Sequence, residues 1–223
     1  MKNVSIVLPP ISGMETAERT DLKEKIKRAA FSMFCQRGIK SVSMDDIAQH
    51  LAMSKKTLYK WFKNKDEVVY EATADYLCCV QHDCEGYIEQ AQNAIDELFQ
   101  VMALTKQVFS QTHPSIFHDL QKYHHDSWQL WLQHKNSFML QKVKANIIRG
   151  MREGLYRKDL NVDIMARMRL AILELPFNAE VFPPHEYEIK QVQLAVLEHY
   201  MLGMATLKGH KLINEYKQIT EEE

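Results

Sequence analysis

Lys55, Lys56, Thr57, Tyr59 and Lys60 fall within one short run, KKTLYK. Each side chain can donate a hydrogen bond to a phosphate oxygen, and the lysines can also reach base edges, so the chemistry offered is recognition of a polyanion. Leu58, Trp61 and Phe62 interleave with them at helical spacing and would anchor such a helix against a support. The surrounding stretch 43–65, SMDDIAQHLAMSKKTLYKWFKNK, carries five lysines. Ser43 fits an N-cap, Asp46 three residues on completes a capping-box-like arrangement, and Asp45 and Asp46 suit the positive end of a helix dipole. Ile47, Ala48 and Leu51 then form one apolar face, Ala52-Met53 is a short linker, and Ser54 can cap a second helix expected over 55–62. The pattern is that of a DNA-binding helix-turn-helix.

Two helices this short cannot bury enough surface alone. The stretch 21–37 supplies a third, with Leu22, Ile26, Ala29, Ala30, Met33 and Phe34 recurring every three or four residues. Charge supports the same division. Residues 19–65 hold twelve Lys/Arg against four Asp/Glu, a net +8, so the remainder carries −9 within a total of −1. A basic head on an acidic body suits a DNA binder whose second part does something else, whereas charge taken alone fits solvated helix faces equally well.

The run AAFSMFCQRGIKSVSMDDIAQHLAMSKKTLYKWFKNKDEVV resembles the N-terminal domain of the TetR family of transcriptional regulators, and TLYKWFKNKDEV is its most specific part. The resemblance spans 21–76 and implies that 55–62 is the recognition helix. It places phosphate contacts on Ser43, Thr57, Tyr59 and Lys65, with Met44 beside the first of these, and base-facing positions on Lys55, Lys56 and Lys60. The family's turn commonly has Gly at Ala52 and Val at Met53; both departures are mild. The resemblance further implies an all-α chain that represses transcription as a homodimer on a palindromic operator and is released by a small-molecule effector. The expected domains are a flexible arm over 1–18, a three-helix DNA-binding head over 19–66, and a larger helical effector-binding and dimerisation domain over 67–223. Residues 1–13 are expected to be dispensable, since Met14 opens a plausible start of its own.

Beyond the head the pattern is helical, with helices expected over 65–85, from 87 or 91 to 111, and over 114–124, 126–152, 162–175 and 186–208. The last has two apolar stripes, one through Val192, Val196, Tyr200 and Gly203, the other through Leu194, Leu197, Met201 and Met204. One stripe can face the subunit's own core and the other a second copy, with Met165, Met168 and Ile172 of the preceding helix beside it. A helix buried wholly within one subunit is the simpler alternative.

Phe99, Met102, Phe109, Phe117, Trp128, Trp131 and Phe138 are either ordinary core or the lining of an effector pocket, with His113, His118, His124, His125 and Asp126 as its polar groups. Cys78, Cys79 and His82 lie within about one helical turn, with Asp83 and Cys84 nearby, and offer an alternative metal- or thiol-sensing site. They lack a paired C-x-x-C spacing, so no metal or other cofactor is expected. The sequence has no glycine-rich phosphate loop, no G-x-S-x-G and no H-E-x-x-H, and so points away from an enzyme. Four cysteines without a secretory framework, no long apolar run and a poor N-terminal signal suggest a cytoplasmic protein with no membrane partner.

Overall fold

The computed structural model describes residues 17–109 and 112–217. The chain runs through α1 (Ala17–Arg37), α2 (Met44–His50), α3 (Lys55–Leu58), α4 (Lys65–Gln90), α5 (Ala94–Phe109), α6 (Ile116–Tyr123), α7 (His125–His134), α8 (Leu140–Arg152), α9 (Val162–Glu174), α10 (Ile189–Met204) and α11 (Leu207–Lys217). Among the described residues there is no β-strand, only an isolated bridge between Tyr156 and Ala205. None of their helices is long and apolar enough to cross a membrane.

Apolar side chains gather in two cores. The first joins Ile26, Ala30 and Phe34 of α1, Ile47 of α2, Leu58, Phe62, and Val68 and Val69 of α4, with Ile116 and Leu120 arriving from α6. The second joins Ile95 and Leu98 of α5, Ile147 of α8, Leu170 of α9, and Leu197, Tyr200 and Met201 of α10. Head and body therefore share α4 and meet again through α6. The expected N-terminal arm falls, over 1–16, outside the described residues.

Several helix ends differ from the sequence expectation, each for a local reason. The helix after the turn was expected to reach Phe62, but regular α-helix stops at Leu58 and continues as turns to Trp61. α4 passes through Gly86 to Gln90, because a single glycine inside a long helix costs only about 1 kcal/mol and does not break it. The expected helix over 126–152 is continuous, but holds a π-helical segment at Lys135–Met139 between α7 and α8. Gly150, expected to end it, lies inside α8 against the Tyr156 ring, where any Cβ would collide. The last predicted helix breaks at the extended Ala205, and a separate α11 follows, which periodicity alone joined to α10. The Thr206 hydroxyl donates to Gly154 O at 2.8 Å and fixes that break against the α8–α9 connector.

Candidate nucleic-acid interface

The head is assembled from local signals. Ser43 caps α2 reciprocally: Asp46 N donates to Ser43 Oγ at 3.1 Å, and Ser43 N donates to Asp46 Oδ2 at 2.7 Å. These bonds to Ser43 hold the Asp46 carboxyl below its ordinary range. Ser54 caps α3 through Thr57 N at 3.1 Å. Between the helices, Ala52 has φ 51°, in the left-handed region where a side chain is strained. The turn forms, but the residue commonly Gly at this place is not a neutral replacement.

Lys56, Tyr59 and Lys60 are exposed on the outer surface of this unit, and Thr57 is half-buried. Among the described residues no carboxylate lies within ion-pair distance of Lys56 or Lys60. Lys55 pairs with Asp45 at 2.5 Å, both largely exposed, so phosphate can displace that partner at little cost. Leu58 and Phe62 point the opposite way, into the core.

Two sequence-assigned contacts are corrected. Met44 is 8% exposed and belongs to the head core, because an N1 residue behind a capping box faces α1 and not solvent. Lys65 is half-buried, and its ammonium donates to Ile39 O at 2.5 Å, which makes it first a tether between α4 and the α1–α2 loop. Burial pushes its pKa down. Ser43 stays exposed, with its hydroxyl engaged in the cap.

The joint between head and body was missed in the sequence. Gly38 ends α1 with φ 79°, and a Cβ there would lie 2.7 Å from Ser115 Oγ. This close approach lets the segment before α6 sit on α1: His113 N donates to Cys35 O at 2.6 Å. Asp119 of α6 accepts from Lys40 N at 3.0 Å and from Ser115 Oγ at 3.0 Å. Burial alone would raise the Asp119 pKa, but the Lys40 N–H, Ser115 and His118 outweigh it and hold the carboxyl below its usual range. A second link pairs His124 Nδ1 with Asp66 Oδ1 at 2.6 Å. His113 and His124, expected among the polar groups of a pocket, instead fasten α6 to the head. The only advance signal was that they flank a short amphipathic helix.

Of the seven aromatic and methionine residues assigned to one pocket, four divide between the two cores. Phe117 and Trp128 pack against the head core, and Phe117 meets Phe177 edge-on at 4.7 Å and Trp131 at 5.2 Å. Phe99 and Met102 pack against the body core, where Phe99 stacks on Tyr216 at 5.1 Å. Phe138 sits beside His134 at 5.2 Å in the π-helical segment, and the Phe109 side chain lies outside the described residues. Helical periodicity identifies a buried face but not which core buries it.

The stripe expected to face a second copy is also rotated. Val192 and Tyr200 lie inside the subunit, with Tyr200 Oη donating to Met165 O at 2.9 Å. Met165 and Ile172 pack against the body core, while Val196 is half-buried. Met168 and Gly203 face outward, together with Ile164 at 61% exposure, Ala171 and Ala195. With apolar residues on both sides of α10, the sequence could not say which stripe faced in.

Cys78 and Cys79 are exposed, and among the described residues no group of three or more His, Cys, Asp and Glu side chains is arranged to hold a metal ion. Burial first, then the neighbouring Cys78, raises the Cys79 thiol pKa, and burial pushes Cys35 up to about 12. Thiols shifted in this direction are poor nucleophiles.

Residues 26–72 match the family model described as bacterial regulatory proteins, tetR family. The chain is 20% identical over 186 residues to YvaF, an uncharacterised helix-turn-helix-type transcriptional regulator of Bacillus subtilis, covering 82% of this chain and 95% of that one. It is 24% identical over 163 residues to the helix-turn-helix-type transcriptional repressor KstR2 of Mycolicibacterium smegmatis, covering 72% and 78%. Among solved structures, the ketosteroid transcriptional regulator KstR2 of Mycobacterium tuberculosis superposes with a TM-score of 0.61 at 18% identity, covering 88% of this chain and all of that one. A regulator from Saccharomonospora viridis in complex with choline superposes with a TM-score of 0.69 at 16% identity, covering 84% and 100%.

Proposed function

We propose that this chain, a member of the TetR family of transcriptional regulators, is a cytoplasmic repressor that binds a palindromic operator as a homodimer and leaves it when a small-molecule effector binds the body. The observation that carries this reading is the exposed lysine face of α3 and the turn after it, where Lys56 and Lys60 have no ion-pair partner among the described residues, on a head that is hydrogen-bonded to the body through α6. Lys55, Lys56 and Lys60 would face bases, with Thr57, Tyr59, the free donors of Lys65 and, once its hydroxyl turns from Asp46, Ser43 at phosphates. A single α3 touches too few base pairs for specificity, so a second copy is required. Ile164, Met168 and Ala171 of α9, with Ala195 and Gly203 of α10, offer an outward surface of apolar and small residues for it.

The joint gives release a physical route. Displacing α6 by a fraction of an ångström pulls on Lys40 and Asp66, which frame the two ends of the helix-turn-helix. Effector binding to the displaced state shifts the population toward wrongly spaced heads. The test is gel-shift titration of the full chain against the DNA upstream of its own gene, alongside its mass in solution. A dimer with saturable binding that the Lys56→Ala and Tyr59→Ala variants lose supports the reading. A monomer at micromolar concentration, or variants binding like the wild type, would end it.

A further inference from the structure

We infer that Arg169 and Gln193 form the recognition end of an effector site for a small molecule that carries one carboxylate on an apolar body. The inference rests on the effector-released reading above and names the chemistry of that effector.

Arg169 lies on the inward face of α9 with Ala166, Leu170 and Leu173. It is 6% exposed, and among the described residues no hydrogen bond or ion pair reaches it. Tyr200 is the neighbour whose charge it would feel, but the Tyr200 hydroxyl already donates to Met165 O. Burial pushes the guanidinium pKa down, yet this group does not release its proton inside a protein. The same body shows how a partly buried arginine is otherwise treated. Arg149 meets Glu153 at 2.8 Å, Glu97 at 3.1 Å and Ala91 O at 2.9 Å. Arg169 has the charge without any such set, and an unpaired buried charge calls for an anion.

Gln193, on the inward face of α10, is 4% exposed, and its Nε2 has no hydrogen-bond partner. The bond from Tyr200 to Met165 pins the register of α9 against α10. Chain reversal between the two helices then carries Arg169 and Gln193 to the same stretch of their seam, each beyond that bond in the same direction. Two buried donor groups without a protein partner thus stand on the packed faces of neighbouring helices, in an otherwise apolar interior.

The donor set selects the ligand. A guanidinium presents two parallel N–H groups to a carboxylate, and the Gln193 amide can add a third donor. One positive charge balances one negative charge, whereas a phosphate monoester would bring a second with nothing to meet it. The buried neighbours on the same two helices are Leu170, Leu173 and Leu197, and the methionines Met102, Met139, Met165 and Met201 belong to the body core. Flexible thioethers can rearrange to admit an apolar body. Arg169 also shares its helix with Ile164 and Met168 on the outer face, so occupancy shifts the element proposed to set subunit spacing.

The experiment uses the full chain and, as probes, butanoate, octanoate and dodecanoate, with 1-octanol as the uncharged control. Calorimetric titration and thermal melts are run on the wild type and on Arg169→Met, Arg169→Lys and Gln193→Leu. The expected result is that at least one longer carboxylate binds about ten-fold or more tightly than 1-octanol, that Arg169→Met abolishes this preference, and that Arg169→Lys retains part of it. Ligand-free Arg169→Met is expected to melt no lower than the wild type, because it removes an unpaired charge. A lower Tm for that variant, a preference that survives it, or no preference for any carboxylate would overturn the inference. Operator binding is measured on the same samples. Carboxylate preference without sequence-specific DNA binding removes the repressor reading and leaves the site; the reverse outcome removes the site and leaves the repressor.

Discussion

At the joint beside the head, polar groups are spoken for: Asp119 takes the Lys40 N–H and the Ser115 hydroxyl, and Lys65 gives its ammonium to the Ile39 carbonyl, while Asp75 Oδ2 on α4 has only the Lys27 ammonium as an ion-pair partner. In the body, the buried Arg169 makes no hydrogen bond or ion pair among the described residues, and Gln193 Nε2 has no partner. The cores differ in the same sense. The body core gathers Met102, Met139, Met151, Met165, Met201 and Met204, against Met33, Met44 and Met53 in the head. A unit that must present one face to DNA gains from a single well-satisfied geometry. A unit that must admit a ligand gains from adaptable side chains and from polar groups completed only by that ligand.

The strongest way to break this contrast is to cut the head core. Phe62→Ala removes a ring that is 1% exposed and is expected to cost about 3–5 kcal/mol. Denaturant unfolding should then separate into two steps, with DNA affinity lost in the first; a single unshifted transition would mean that the head has no independent core. Next in size is the joint. Asp119→Ala strands the Lys40 N–H and the Ser115 hydroxyl and should cost about 1–3 kcal/mol. Because the folded Asp119 pKa lies below the ordinary 3.8, the stability it contributes is fully present above that value and disappears as pH falls through the lower, folded value. Acid melts of wild type and variant should therefore converge as pH falls through that lowered value. Parallel curves across the whole range would show that the carboxylate is not what fastens α6.

How much of this was legible beforehand follows the same division. The head could be read because its signals are local: Ser43 and Asp46 lie three residues apart, Ser54 and Thr57 likewise, and the lysines punctuate a face whose other side is Leu58 and Phe62. Tyr200 and Val192 were misassigned because a helix with apolar residues on two sides does not declare which side is in. Phe117 and Phe99 looked like one pocket because sequence cannot tell which of two cores closes over an aromatic ring. Arg169 went unremarked for a related reason. A charged residue in an amphipathic pattern reads as solvated, and only packing shows it on the line from Ala166 to Leu173.

Two smaller effects sharpen the comparison. Gly86→Ala fills a position where a Cβ meets nothing within 4 Å and should raise α4 stability by about 0.5–1 kcal/mol, seen as a higher Tm. Ala52→Gly should gain about 0.5 kcal/mol, because relief of the left-handed strain exceeds the added freedom of the unfolded chain. A loss at Ala52 would show that the turn is not strained. Neither change touches a proposed contact to DNA, so operator affinity should stay within about two-fold of wild type.

The central claim is that the α3 lysine face is one of two identical readers held by the body. Selection of binding sites from random duplex DNA by the full chain tests it most directly. The expected product is an inverted repeat whose half-site centres lie about one helical turn apart, with Lys56→Ala relaxing base preference symmetrically in both halves. Recovery of a single half-site, or of no preferred sequence, would contradict it.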